Sequence, residues 1–102
     1  MATLHTVNKS PFETQALLSC LGHTKAGDTV LLIEDGVYGA VGNTALADAV
    51  AGLGGAVTLA VLAPDLKARG IDEGRLMEGV KTVDYTGFVE LAASHDRTQN
   101  WL

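Results

Sequence analysis

The stretch Asp28-Thr29-Val30-Leu31-Leu32-Ile33-Glu34-Asp35-Gly36 decides the fold. Val30–Ile33 is apolar without alternation, which predicts a strand over Asp28–Ile33 that is buried on both faces. Glu34-Asp35-Gly36 then ends it in a turn. Ala56–Leu62 is a second run of the same kind and a second such strand. Thr3–Val7 alternates around Leu4 and reads as a short strand, and Val80–Tyr85 makes a fourth.

Helical patterns lie between these runs. Ser10-Pro11-Phe12-Glu13 joins an N-cap, a proline at the first helical position and a glutamate three residues after the cap. A helix should therefore begin at about Pro11, with Leu17, Leu18 and Leu21 on its apolar face and Gly22 or Gly27 as its stop. The Ala-rich Thr44–Leu53 reads as a helix ending at Gly54-Gly55. Pro64–Arg69 reads as a helical turn stopped by Gly70, Asp72–Gly79 as another turn, and Thr86–Ser94 as a last helix. Val37–Gly42, rich in glycine, fits no element. Residues 95–102 read as a tail carrying the only tryptophan, Trp101. Strands alternating with helices predict a small three-layer α/β domain with a mostly parallel sheet of about four to five strands.

The chain has 102 residues, 47% of them hydrophobic, which is enough for one folded domain and too short for two. Seven Lys+Arg stand against twelve Asp+Glu, for a net charge of −5 with His neutral. An acidic chain without a basic block is poorly suited to gripping phosphate backbones, so no direct nucleic-acid contact is expected. No targeting segment or bilayer-spanning run is present, which leads to the expectation of a cytoplasmic protein with a reduced thiol.

The motifs exclude more chemistry than they suggest. Gly36, Gly39 and Gly42 form neither GxGxxG nor a P-loop, and they read as a tight connection rather than a phosphate cradle. Glu34-Asp35 falls at the sheet edge where α/β folds place their sites. With the following glycines it could bind a small ligand, but adjacent carboxylates in a turn are usually just solvated. His5, His23 and His95 share no metal-ligand spacing, so no metal or cofactor is expected. His5 reads as a hydrogen-bonded structural histidine on a strand, and His95 as an exposed one.

Cys20 is the residue with chemical reach. One cysteine cannot form an internal disulfide or a CxxC pair. About 100° per residue puts Cys20 roughly 80° from the direction set by Leu17 and Leu21, on the shoulder of the first helix. A shoulder thiol is reachable by a partner, whereas a free cysteine is also a good small core residue. The helix C-terminal half disfavours a thiolate, and His23 and Lys25 could compensate. The residues alone leave both readings open.

Several stretches together carry a family resemblance. They are Leu4-His5-Thr6-Val7-Asn8-Lys9-Ser10-Pro11-Phe12, Glu34-Asp35-Gly36, Pro64-Asp65-Leu66-Lys67-Ala68-Arg69-Gly70, Asp84-Tyr85-Thr86-Gly87-Phe88-Val89 and Trp101-Leu102. On these the chain resembles the DsrH/TusB family of sulfur-relay proteins nearly end to end, and most of all its DsrH branch. The resemblance implies a small α/β fold shared with DsrE/TusD and DsrF/TusC subunits, and a heterohexamer built from two copies of each of the three. It implies transfer of persulfide sulfur to a DsrC/TusE-like acceptor, with no cofactor. The Dsr branch serves cytoplasmic sulfur oxidation, and the Tus branch serves 2-thiouridine formation at the tRNA wobble position. The principal sulfur-carrying cysteine belongs to the DsrE/TusD subunit. Cys20 matches a first-helix cysteine of DsrH proteins. The resemblance thus leads to the expectation of Dsr-type sulfur oxidation, with Cys20 as carrier or nucleophile and His23 as its modulator. The alternatives are a TusB-type subunit and a non-catalytic one in which Cys20 merely packs.

Overall fold

The computed structural model describes residues 2–9, 16–41, 56–77 and 79–101. Within them a five-stranded sheet is formed by β1 (Thr3–Val7), β2 (Thr29–Leu32), β3 (Thr58–Leu62), β4 (Lys81–Val83) and β5 (Arg97–Trp101). All four pairings are parallel, in the order β4-β3-β2-β1-β5. The helices are α1 (Ala16–Leu21), α2 (Ala63–Ala68) and α3 (Tyr85–Ser94). Glu34–Ala40 and Glu73–Arg75 are 3-10 helices.

The strand order explains the layers. The chain steps in one direction from β1 to β4 and then jumps back across the sheet to β5. Right-handed crossovers place helices for opposite steps on opposite faces. Leu17, Cys20 and Leu21 of α1 and Leu66 of α2 accordingly pack with Val7, Val30, Leu32 and Val61 on one face. Phe88 and Leu91 of α3 cover Leu4, Leu31 and Ala60 on the other. Alternation along each strand sorts the residues between the two faces. In β2, buried on both, every residue is apolar or a hydrogen-bonded threonine, as its unbroken hydrophobic run predicts.

The three-layer parallel α/β architecture is the one expected, and three local expectations are corrected. Residues 97–101 are a strand rather than a tail. The sequence hid this because β5 is an exposed edge strand, where polar residues meet water at little cost. The turn at Glu34-Asp35-Gly36 opens a 3-10 helix that runs through the unassigned stretch to Ala40. Glu34 carries a φ of +49° there, and a Cβ on Gly36 would lie 2.0 Å from the Val7 carbonyl oxygen, so only glycine fits. Tyr85 begins α3 rather than ending β4, because the Asp84 carboxylate caps that helix by accepting the Gly87 N–H at 2.7 Å. Gly70, with a φ of +67°, stops α2 as anticipated. The expected helix start at Pro11 and the helix Thr44–Leu53 lie outside the described residues.

Candidate functional site

Cys20 sits on α1 with a side chain that is 0% exposed. This corrects the expected shoulder position. Leu17, Cys20 and Leu21 have the i, i+3, i+4 spacing of an apolar stripe, and that stripe is wide enough to take in a residue well off its centre. Burial pushes the thiol up to about 12, and the negative charge of the nearby Asp28 carboxylate pushes the same way. At neutral pH, Cys20 is a protonated thiol inside the core.

His23 is exposed, in the turn two residues past the end of α1. Its Nδ1 lies 2.7 Å from the Ser19 carbonyl, which can only accept, so this nitrogen carries the proton. Its ring lies tilted against Trp101, with centroids 5.3 Å apart. Among the described residues no hydrogen bond joins the His23 ring to the Cys20 thiol. The structure therefore brings His23 to the tryptophan and not to the sulfur.

Around Trp101 lies a polar cluster that no spacing in the sequence announces. The Trp101 indole Nε1–H, which can only donate, points at His5 Nδ1 at 3.1 Å. The proton of His5 is thereby set on Nε2, which donates to the Asp28 carboxylate at 2.9 Å. Asp28 also accepts the backbone N–H of Thr3 at 2.9 Å and of Lys25 at 3.1 Å. His5 is 5% and Asp28 3% exposed. Burial alone would raise the Asp28 carboxyl, but the bonds from Thr3, His5 and Lys25 outweigh it and hold the group below its ordinary value. One bond chain thus ties β5 to β1 and to the entry of β2. His5 is the hydrogen-bonded structural histidine it was read as. Only its partners, Asp28 and Trp101, were missed.

Above this cluster opens a cleft of about 480 Å³. His5 and Asp28 form its floor, His23 and Lys25 one rim, and Arg97, Gln99 and Trp101 the β5 side. The register pairs Thr3, His5 and Val7 with Arg97, Gln99 and Trp101, so alternation sends those three β5 side chains to the same face.

The other candidates resolve into structural roles. Asp35 holds Arg69 at 2.9 Å, and Asp65 accepts the Glu34 N–H at 2.7 Å, so these carboxylates fasten the 3-10 helix to α2. His95 is partly buried rather than exposed, with its ring nitrogens on the Leu91 carbonyl at 2.7 Å and the Thr29 hydroxyl at 2.9 Å. Among the described residues no three His, Cys, Asp or Glu side chains converge to hold a metal. No helix there is long and apolar enough to cross a membrane.

Comparison with known proteins bears on this arrangement. The ychN protein of Escherichia coli superposes with a TM-score of 0.81 at 15% identity, covering 99% of this chain and 100% of that one. MTH1491 of Methanobacterium thermoautotrophicum gives a TM-score of 0.69 at 20% identity, covering 91% and 90%. At such identities the likeness is one of fold. Sequence relatives go further. Protein TusB of Pectobacterium parmentieri is 35% identical over 98 residues, covering 96% of this chain and 99% of the relative. Protein TusB of Erwinia tasmaniensis is 37% identical over 100 residues with the same coverage. The family described as DsrH like protein matches residues 9–98. The chain belongs to the DsrH/TusB family.

Proposed function

We propose that this chain is a TusB-type subunit of a cytoplasmic sulfur relay, working with TusC/DsrF-like and TusD/DsrE-like subunits in a heterohexamer. Its role is to complete and stabilise the assembly that passes persulfide sulfur to a TusE/DsrC-like acceptor, upstream of tRNA 2-thiolation. The near full-length match to proteins named TusB carries this reading. The leaning toward Dsr-type sulfur oxidation rested on the likeness to the DsrH branch and on the presence of Cys20, and the relatives favour the Tus branch instead. The chain's net charge of −5 supports leaving contact with tRNA to other members of the pathway.

The chemistry fits a division of labour. In each relay step a thiolate attacks the outer sulfur of a persulfide. A new S–S bond forms, the donor's S–S bond breaks, and the donor leaves as a thiolate that takes up a proton. The attacking group must be ionised and reachable. Cys20 is fully buried, and its thiol is pushed up to about 12, which supports a packing role for it here. For Cys20 to carry sulfur, α1 would first have to lift from the sheet.

Co-expression tests the assembly. The chain, produced with the TusC- and TusD-like proteins of its own genome, should co-purify with both as one complex. That complex should move sulfur from a persulfide donor to the TusE-like acceptor. Failure to form a complex, or equal transfer by the partners without this chain, would rule the reading out.

A further inference from the structure

We propose that the cleft between the end of α1 and β5 is a binding site for a small tetrahedral oxyanion, a phosphate or sulfate group either free or carried on a small molecule. The inference is independent of whether Cys20 carries sulfur.

Charge is the first argument. The chain is acidic overall, yet Lys25 and Arg97 stand on opposite rims of one cleft. Neither has an ion-pair partner within 4.0 Å among the described residues, whereas Arg69 is paired twice. Among the described residues Asp28 is the only acidic side chain lining the cleft. Its carboxylate is sunk in the floor and already accepts three hydrogen bonds, from Thr3, Lys25 and His5. The charge left on the cleft walls is that of Lys25 and Arg97, both cationic, and an anion there would make charge-assisted bonds on two sides.

Geometry is the second argument. The His5–Asp28 and His5–Trp101 bonds hold the floor and the β5 wall in fixed positions, so the cleft does not have to be assembled on binding. The Gln99 amide, whose N–H₂ can donate to an oxyanion, lines the β5 side of the cleft. A volume of about 480 Å³ exceeds a bare oxyanion and leaves room for an attached group against Trp101.

Trp101 is the sole tryptophan, so its emission and its indole N–H resonance report on the cleft directly. The purified full chain should be titrated with inorganic phosphate, sulfate and ribose 5-phosphate, with chloride at matched ionic strength as control. The expected result is a saturable change at Trp101 with a Kd in the millimolar range or tighter for at least one oxyanion, absent with chloride. Tighter binding of ribose 5-phosphate would identify the carried group as the ligand, and equal binding the free ion. The double variant Lys25→Gln, Arg97→Gln should bind at least about tenfold more weakly, and the charge-keeping Lys25→Arg, Arg97→Lys should retain binding. No saturable response to any oxyanion, or one that persists in the folded Gln variant, would overturn the proposal.

Discussion

A thiol pushed up to about 12 has few thiolates to offer. At pH 8 roughly one Cys20 in 10⁴ is ionised, against about one in ten for a cysteine at the ordinary value of 9.0. Alkylation of the folded chain at pH 8 should therefore be at least about a hundredfold slower than that of the chain unfolded in denaturant, a rate read by mass spectrometry. Asp28 makes the complementary prediction. Its folded carboxyl lies below the ordinary value of 3.8, so its contribution to stability is present above that value. The contribution is lost as pH falls through the folded value, and denaturant midpoints should decline below about pH 4. Asp28→Asn turns an amide N–H₂ toward the donors of His5 or Lys25 and should cost about 2–4 kcal/mol at neutral pH. At this scale the sequence was a partial guide. It singled out Cys20, His23 and His5 one by one. It could not show that His5 meets Asp28 and Trp101, because those partners lie 23 and 96 residues away.

Whole elements were legible wherever burial dictated them. β2 and β3 announce themselves as unbroken apolar runs because both faces of each strand are covered. β5 does not, since Arg97-Thr98-Gln99-Asn100 is exposed and held largely by its backbone ladder to β1. Its one apolar anchor is Trp101, whose indole bond to His5 fixes the strand end. Trp101→Phe keeps the packing and removes that bond, so it should cost about 1 kcal/mol. For a domain of this size that is a Tm lower by roughly 4–8 °C in thermal unfolding. The 3-10 helix after β2 was illegible for a different reason. Its path is set by the close approach of Gly36 to the Val7 carbonyl, a contact between distant backbones. Gly36→Ala puts a methyl into backbone that cannot yield and should leave little folded protein, as judged by circular dichroism and soluble yield.

For the molecule as a whole, one strand order explains both the two-faced sheet and the position of the cleft. Placing β5 beside β1 sends α3 to one face and brings the basic and aromatic residues of the last strand next to His23 on the other. The family could be read from motifs spread along the chain, because those motifs are properties of the sequence itself. The division of labour within a relay could not, because it turns on whether one side chain is buried. The most direct test is the intact mass of each subunit after the reconstituted complex meets a persulfide donor, at about 32 Da per added sulfur. The expected outcome is added sulfur on the TusD-like subunit, none on Cys20, and acceptor loading unchanged within about twofold by Cys20→Ala. Stoichiometric sulfur on Cys20, together with loss of acceptor loading in an intact Cys20→Ala complex, would contradict the packing role and make this chain a carrier.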